Sequence, residues 1–274
     1  MSEILIRKDG SRSIEAADPR VGTDVEAIDG IIAEHLKLRA MGLHTGEVTS
    51  GAVLEGIAAA LAMGINPERF SQKVLAMGGI AAHFGKVQVS ARESGLYAVS
   101  SLSTEVELED VEEGRQIRGG MGEALKDPLV LLAANYHDEA SRREMSQYEK
   151  MLEELGDLFR TETEENDFHA ANIALATRAN ILMLCTMEDG FIYKGRKLDR
   201  INIEDIPKYL AYIEETRSDD GNGAGKGGMT TKLKAGEWAL TQAAEQGREI
   251  QVVIGHSQED SRRLLENAGT WVVK

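Results

Sequence analysis

The sequence predicts an α/β fold, a mainly parallel sheet covered by helices on both faces, from three observations. Short apolar, β-prone runs alternate with stretches of helical periodicity, the pattern of crossover units whose strands run parallel. With 274 residues and 42% apolar content, the chain can bury a large core as one sizeable domain or two closely packed lobes. The residues with chemistry to offer gather just after the apolar runs, where a parallel sheet places its ligand crevice.

In order along the chain, residues 3–7 (EILIR) predict the first strand. Residues 25–41 carry Ile28, Ile31, Ile32, His35, Leu36 and Leu38 near helical spacing and predict a helix. Residues 46–49 (GEVT) predict the second strand and complete a β–α–β start. Further strands are expected at 86–90, 129–133, 181–185, 250–254 and 270–273, with helical patterns between most of them. Residues 105–118 (EVELEDVEEGRQIR) read as the solvated face of a helix or as a partner site. Residues 148–159 have a helix-compatible apolar face that Gly156 weakens. Residues 217–228 hold five glycines and two aspartates and read as a mobile loop able to act as a lid.

The net charge of −15, from 31 basic and 46 acidic residues, argues against an electrostatic nucleic-acid partner. Small anionic ligands need only a local positive site and are compatible with it. No apolar run approaches the roughly 18–20 residues that span a bilayer. The start MSEILIRKDG lacks the apolar core of a secretory signal, so a cytoplasmic location without membrane partners is expected. Cys185 is the only cysteine, which excludes an intramolecular disulfide or a cysteine-based metal cluster. Its apolar setting favours core packing over nucleophilic chemistry.

The stretch Gly225-Lys226-Gly227-Gly228-Met229-Thr230-Thr231-Lys232-Leu233 opens a helix with small residues and then supplies a lysine. Glycines let backbone approach an anion, the first helical N–H groups point at it, and the helix dipole favours it. Glycine-rich surface linker is the alternative. The spacing does not fit the Walker A pattern, which argues against an ordinary P-loop ATPase. The other segments after strands are Lys8-Asp9-Gly10-Ser11, Ser50-Gly51-Ala52-Val53, Asn135 to Asp138, and Thr186 to Asp189-Gly190, with Glu165-Asn166-Asp167 lying between the last two. Ser50 reads either as a ligand contact or as the cap of a helix starting at Gly51, and Asp167 as a helix N-cap or a site residue.

Taken in this order, these segments resemble the amino acid kinase family over nearly the whole chain, and most of all its glutamate 5-kinases. The resemblance implies a three-layer α/β/α sandwich around a mainly parallel sheet, residues 1–274 forming one domain. Residues up to about 160 would form the acceptor-substrate lobe and about 161–274 the nucleotide-binding lobe. It implies ATP and Mg2+ as cofactors, a small acid as acceptor, and a homodimer or homotetramer. Lys8, Asp167 and Lys232 would be catalytic, with Asp167 orienting the two lysines. Gly10, Ser11, Thr186, Asp189, Gly190, Gly225, Gly227, Gly228, Met229 and Thr231 would hold the nucleotide. Ser50, Gly51, Ala52, Asp138 and Asn166 would bind the acceptor, with Asp138 suited to an α-ammonium. No protein ligand cluster for a metal is implied, since magnesium can bind through nucleotide oxygens and water. The additional RNA-binding-like domain of some bacterial glutamate kinases is not expected. Sister families phosphorylate uridylate, isopentenyl phosphate, carbamate or N-acetylglutamate on this scaffold, and a non-catalytic anion-binding protein is the third alternative. Three departures bear on that choice. Asp9 puts a carboxylate where the family has an apolar residue, Met187 replaces an aspartate of the nucleotide loop, and Tyr136 and His137 are larger than usual beside the acceptor. His137 and His169 read as satisfied polar residues before they read as catalytic ones.

Overall fold

The computed structural model describes residues 3–69, 72–103, 130–136, 166–216 and 228–274. The features expected at 105–118, 148–159 and 217–227 lie outside these residues, as does His137. The first strand, β1 (Ile4–Lys8), leads through a 3-10 turn (Ser11–Ser13) to helix α1 (Val25–Ala40) and strand β2 (His44–Val48). Asp24 caps α1 by accepting from the Glu26 N–H at 2.9 Å. Helices α2 (Ala52–Ala62) and α3 (Gln72–Glu93) precede strands β3 (Tyr97–Ser103) and β4 (Val130–Tyr136). The second half contains α4 (Asn166–Ala176), β5 (Ile181–Thr186), β6 (Ile192–Tyr193), β7 (Arg196–Lys197), β8 (Arg200–Asn202), α5 (Ile206–Glu215), α6 (Gly228–Glu245), β9 (Gln251–His256) and β10 (Thr270–Val273).

Eight strands form one sheet in the order β3-β4-β2-β1-β5-β9-β10-β8. Each neighbouring pair is parallel except β9 with β10. Alternation along the strands sorts side chains to two faces. Ile6, Leu182, Leu184, Val252 and Ile254 meet Phe168 and Ala171 of α4 and Leu233 and Ala239 of α6. Leu5, Met183, Cys185 and Val253 meet Leu38 of α1 and Leu264 on the other face. Helices thus cover both sides, as the alternation of segments predicts. Helices α2 and α3 pack closely through Gly56 and Gly79, where a β-carbon would lie 1.8 Å from the Leu75 carbonyl oxygen and 2.1 Å from that of Ala52.

One expectation fails. Residues 86–90 (KVQVS) belong to α3, not to a strand. A strand would put Val87 and Val89 on one face, yet Val87 is buried with Phe84 and Ala91 while Val89 is exposed, the spacing of a helix. The strand actually adding to that edge is β3, whose serine-rich sequence YAVSSLS is not among the expected strands and which is fixed by seven-residue pairing to β4. Among the described residues no helix is long and apolar enough to cross a membrane.

Candidate active site

β1 is flanked by β2 and β5, so the chain departs from it in opposite directions, and the crevice of such a sheet lies beyond the carboxyl ends at that point. Lys8 is the last residue of β1, in register with Val48 of β2 and Leu184 of β5. It shares the face of Ile6, onto which α4 and α6 pack. Asp167 sits in the first turn of α4, and Lys232 one turn into α6.

The three side chains meet. Lys232 Nζ donates to both Asp167 oxygens at 2.9 and 3.1 Å, Lys8 Nζ lies 3.7 Å from Asp167 Oδ1, and Thr231 Oγ1 donates to Oδ2 at 2.7 Å. Asp167 is therefore a helical residue between two ammonium groups rather than an N-cap. Burial works against its charge, but Lys232, Lys8 and the Thr231 hydroxyl outweigh that and hold its carboxyl below the usual range. Burial also lowers the Lys8 ammonium, Asp167 opposes the shift and Lys232 adds to it. One carboxylate facing two ammonium groups leaves an excess of positive charge in a water-poor site, and an anionic ligand would neutralise it.

Beside this group, Asn166 Nδ2 donates to Ser50 Oγ at 2.8 Å. Two residues expected to bind the acceptor thus touch, and one is the chain neighbour of Asp167. Ser50 does not cap α2: Gly51 occupies that position and makes no side-chain bond. Gly51 and Ala52 turn their Cβ sides inward, Gly51 with space for no β-carbon because His83 lies 2.3 Å from where one would be, and Ala52 into the core. His83 binds Thr49 Oγ1 through Nε2 at 2.5 Å, and burial lowers its pKa to about 4. His169, buried on α4, is lowered by desolvation to about 4, which suits a neutral packed ring.

Gly10 and Gly228 border open space, where a β-carbon would meet nothing within 4 Å. Ser11 is half-buried in the 3-10 turn, and Met229 packs on the core at the start of α6. Thr186 ends β5 and Asp189 lies in the loop after it, while Gly190 shapes that loop by fitting beneath Thr270. Met187 is exposed and accepts from Ser257 Oγ at 3.6 Å. Asp138, Gly225 and Gly227 lie outside the described residues. A groove of about 670 Å³ lined by Arg200, Arg248, Trp271 and Lys274 lies at the opposite end of the sheet, away from Lys8.

Asp9 does not confront the site. Its carboxylate turns to the other face of the sheet and accepts from Arg7 Nε at 2.5 Å and Nη2 at 3.1 Å, with both residues fully buried. Arg7 Nη2 also donates to the Ser257 carbonyl at 2.8 Å, and Nη1 to Ser261 Oγ. Glu47 stands beside Arg7 in β2, accepts the Asp9 N–H at 3.3 Å and pairs with His35 Nε2 at 3.0 Å. Burial, with Asp9 adding to it, pushes the Glu47 carboxyl well up, and burial with Arg7 pulls His35 well down, so the buried setting favours the neutral form of each. Sequence reading passed over Arg7, Glu47 and His35. The available signal was a charged residue inside the apolar run ILIRK, two positions from Asp9 and therefore on its side of the strand.

No protein-family model matches the chain. A glutamate 5-kinase from Desulfitobacterium hafniense (strain Y51) is 24% identical over 235 residues, covering 85% of this chain; the chain spans 58% of that relative's length. A carbamate kinase structure from Giardia superposes with a TM-score of 0.62 over 100% of this chain and 99% of its own, at 13% identity. The chain has the fold of the amino acid kinase family. The UMP kinase of Ureaplasma parvum shares it with a TM-score of 0.56, at 12% identity and with 100% of both chains covered. In this fold the Lys8, Asp167 and Lys232 group occupies the carboxyl ends of the central strands, where general sheet geometry places a ligand.

Proposed function

We propose that the chain is an ATP-dependent kinase that transfers the γ-phosphoryl group to a small carboxylic acid, glutamate foremost, to give glutamyl 5-phosphate. The observation that carries this is the single buried Asp167 carboxylate held between Lys8 and Lys232. Two positive groups fixed by one anion suit a reaction whose transition state gathers negative charge and needs positioning more than covalent chemistry. The likeness to a glutamate 5-kinase supports the acceptor class.

The residues fit a nucleotide phosphate: both ammonium groups converge there, and the open faces of Gly10 and Gly228 leave room for it. Bound ATP would supply the γ-phosphoryl group and its magnesium ion would offset charge on the phosphate oxygens. On this reading Lys8 and the Gly10–Ser11 turn sit over the transferred group, and Lys232, Thr231 and the Gly225–Met229 segment hold the nucleotide side. Asp167 keeps both ammonium groups charged and aimed. Thr186, Asp189 and Gly190 line the nucleoside side, while Ser50, Gly51, Ala52, Asn166 and Asp138 hold the acceptor. The acceptor lobe is then residues up to about 160 and the nucleotide lobe about 161–274, in a cytoplasmic homo-oligomer. Among the described residues no three or more His, Cys, Asp or Glu side chains gather as a metal site.

Likeness to a carbamate kinase and a UMP kinase favours a second reading, the same transfer to another small acid or phosphate. A binding-only protein is less well supported, because Asp9, one of the departures in its favour, is neutralised by Arg7. The test is purified protein with magnesium-ATP, hydroxylamine and a panel of glutamate, N-acetylglutamate, carbamate, uridylate and isopentenyl phosphate. Glutamate is expected to give the γ-hydroxamate, formed when hydroxylamine displaces phosphate from the acyl phosphate. Lys232→Ala is expected to lose about two or more orders of magnitude in rate. ADP release with another panel member and none with glutamate moves the protein to the second reading. ATP binding with no transfer to any of them defeats the kinase reading.

A further inference from the structure

Around Lys8 the backbone does as much as the side chains. Its Nζ donates to the carbonyl of Asp9 at 3.0 Å while facing Asp167 at 3.7 Å, so the Asp9 peptide and the Asp167 carboxylate together fix where the ammonium points. That peptide is pinned from both ends of its residue. The Asp9 N–H is shared between the Val48 carbonyl at 3.2 Å and Glu47 Oε1 at 3.3 Å, and the Asp9 carboxylate is gripped by the Arg7 fork. The same fork reaches the Ser257 carbonyl and Ser261 Oγ, while Ser261 N–H is held by Glu34 Oε2 at 2.7 Å. Ser257 in turn donates its N–H to the Thr186 carbonyl at 2.7 Å and its hydroxyl to Met187 Sδ. One guanidinium therefore ties the Lys8–Gly10 turn to the segment after β9, and Ser257 of that segment carries the tie on to Thr186 and Met187 at the end of β5. A lysine has one point charge and could not span these partners in a plane.

We propose that Arg7 and Asp9 are positioning residues for phosphoryl transfer: Arg7 fixes the Asp9 peptide, whose carbonyl steers the Lys8 ammonium, and through Ser257 couples that turn to Thr186 and Met187 at the end of β5. This rests on the kinase reading for its catalytic consequence, but not for its structural one. Asp9 is thus no intrusion of negative charge into the site; its carboxylate anchors one side of the sheet while its carbonyl works on the other.

The test uses the full chain with Arg7→Lys, which keeps the buried charge and loses the fork, and Ser261→Ala, a milder cut of the same fork should the first not fold. The expected result is a fall of about tenfold in kcat with KM values within about threefold, the signature of lost orientation. In the Lys8→Ala background the same change should cost little more, because the two act through one group. A structural role without positioning would instead add its loss to that of Lys8→Ala, and that outcome overturns the proposal. A second readout needs no activity. In a 1H–15N correlation of lysine ammonium groups, the signal that Lys8→Arg removes should shift in Arg7→Lys while that of Lys232 stays. A folded Arg7→Lys or Ser261→Ala protein with the Lys8 signal unmoved overturns the proposal. If the wild type transfers phosphate to no acceptor, the kinase reading falls, and a shifted Lys8 signal still upholds the coupling.

Discussion

Replacing Asp167 with asparagine tests the centre of the site with almost no change of shape. The amide oxygen can still accept from Lys232 or Thr231, so the loss is essentially one charge. Lys232 and Lys8 lie 2.9 and 3.7 Å from that charge. At an effective dielectric of about 20, unit charges at those separations attract by about 6 and about 4 kcal/mol. Desolvation offsets much of the sum, and removing one partner of a buried pair has a net cost of about 3–5 kcal/mol. Urea unfolding at pH 7 should show that loss. Two ammonium groups left together also bind anions more eagerly, so inorganic phosphate should raise the melting temperature of Asp167→Asn more than that of the wild type. Without Asp167, burial and Lys232 lower the Lys8 ammonium with their main opponent removed, so the alkaline limb of the rate profile should move to lower pH. With the lysines misaligned, kcat should fall by about 10²–10³. An asparagine variant within about 1 kcal/mol of wild-type stability and within about threefold in kcat would refute the account of one carboxylate organising two ammonium groups.

Asn166→Ala removes the amide that holds Ser50 and should raise the acceptor KM about tenfold while leaving the ATP KM nearly unchanged, as steady-state kinetics with each substrate varied will show. Stability should also depend on pH from both sides. His83 and His169, held at about 4 against an unfolded value near 6.5, are neutral when folded, so their contribution is present above pH 6.5 and is lost as pH falls toward 4, by about 3 kcal/mol each. Glu47 is raised and buried, so its contribution is present below the ordinary carboxyl range and declines as pH rises toward its own elevated pKa. Glu47→Gln keeps an acceptor for the Asp9 N–H and removes that titration. Urea midpoints measured from pH 4 to 9 should therefore decline less above the ordinary carboxyl range in Glu47→Gln than in the wild type; parallel curves would contradict the upward shift of the Glu47 carboxyl.

Much of the architecture was legible because it rests on local signals. The run at 181–185 is apolar throughout and that at 250–254 is apolar apart from the exposed Gln251, as strands covered on both faces must nearly be, and both are central strands. Helix α1 follows its apolar periodicity to within a residue. Strand β3 was not legible, since YAVSSLS gains its strand character from pairing with β4 and not from its own composition. KVQVS misled for the converse reason: five residues cannot separate a two-residue period from a helical one when the flanking turns of α3 decide the matter.

By itself the sequence determined the parallel α/β class, the order of the segments after each strand, and the identities of Lys8, Asp167 and Lys232 as charged residues in those segments. Only the tertiary structure decided that the three meet, since they are brought together by two helices packing on one sheet face from far apart in the chain. It also decided the sign of Asp9. In sequence that residue is a negative charge beside a phosphate site; in the fold, the two-residue period of a strand carries its side chain to the opposite face, where Arg7 is waiting, and leaves only its carbonyl to Lys8.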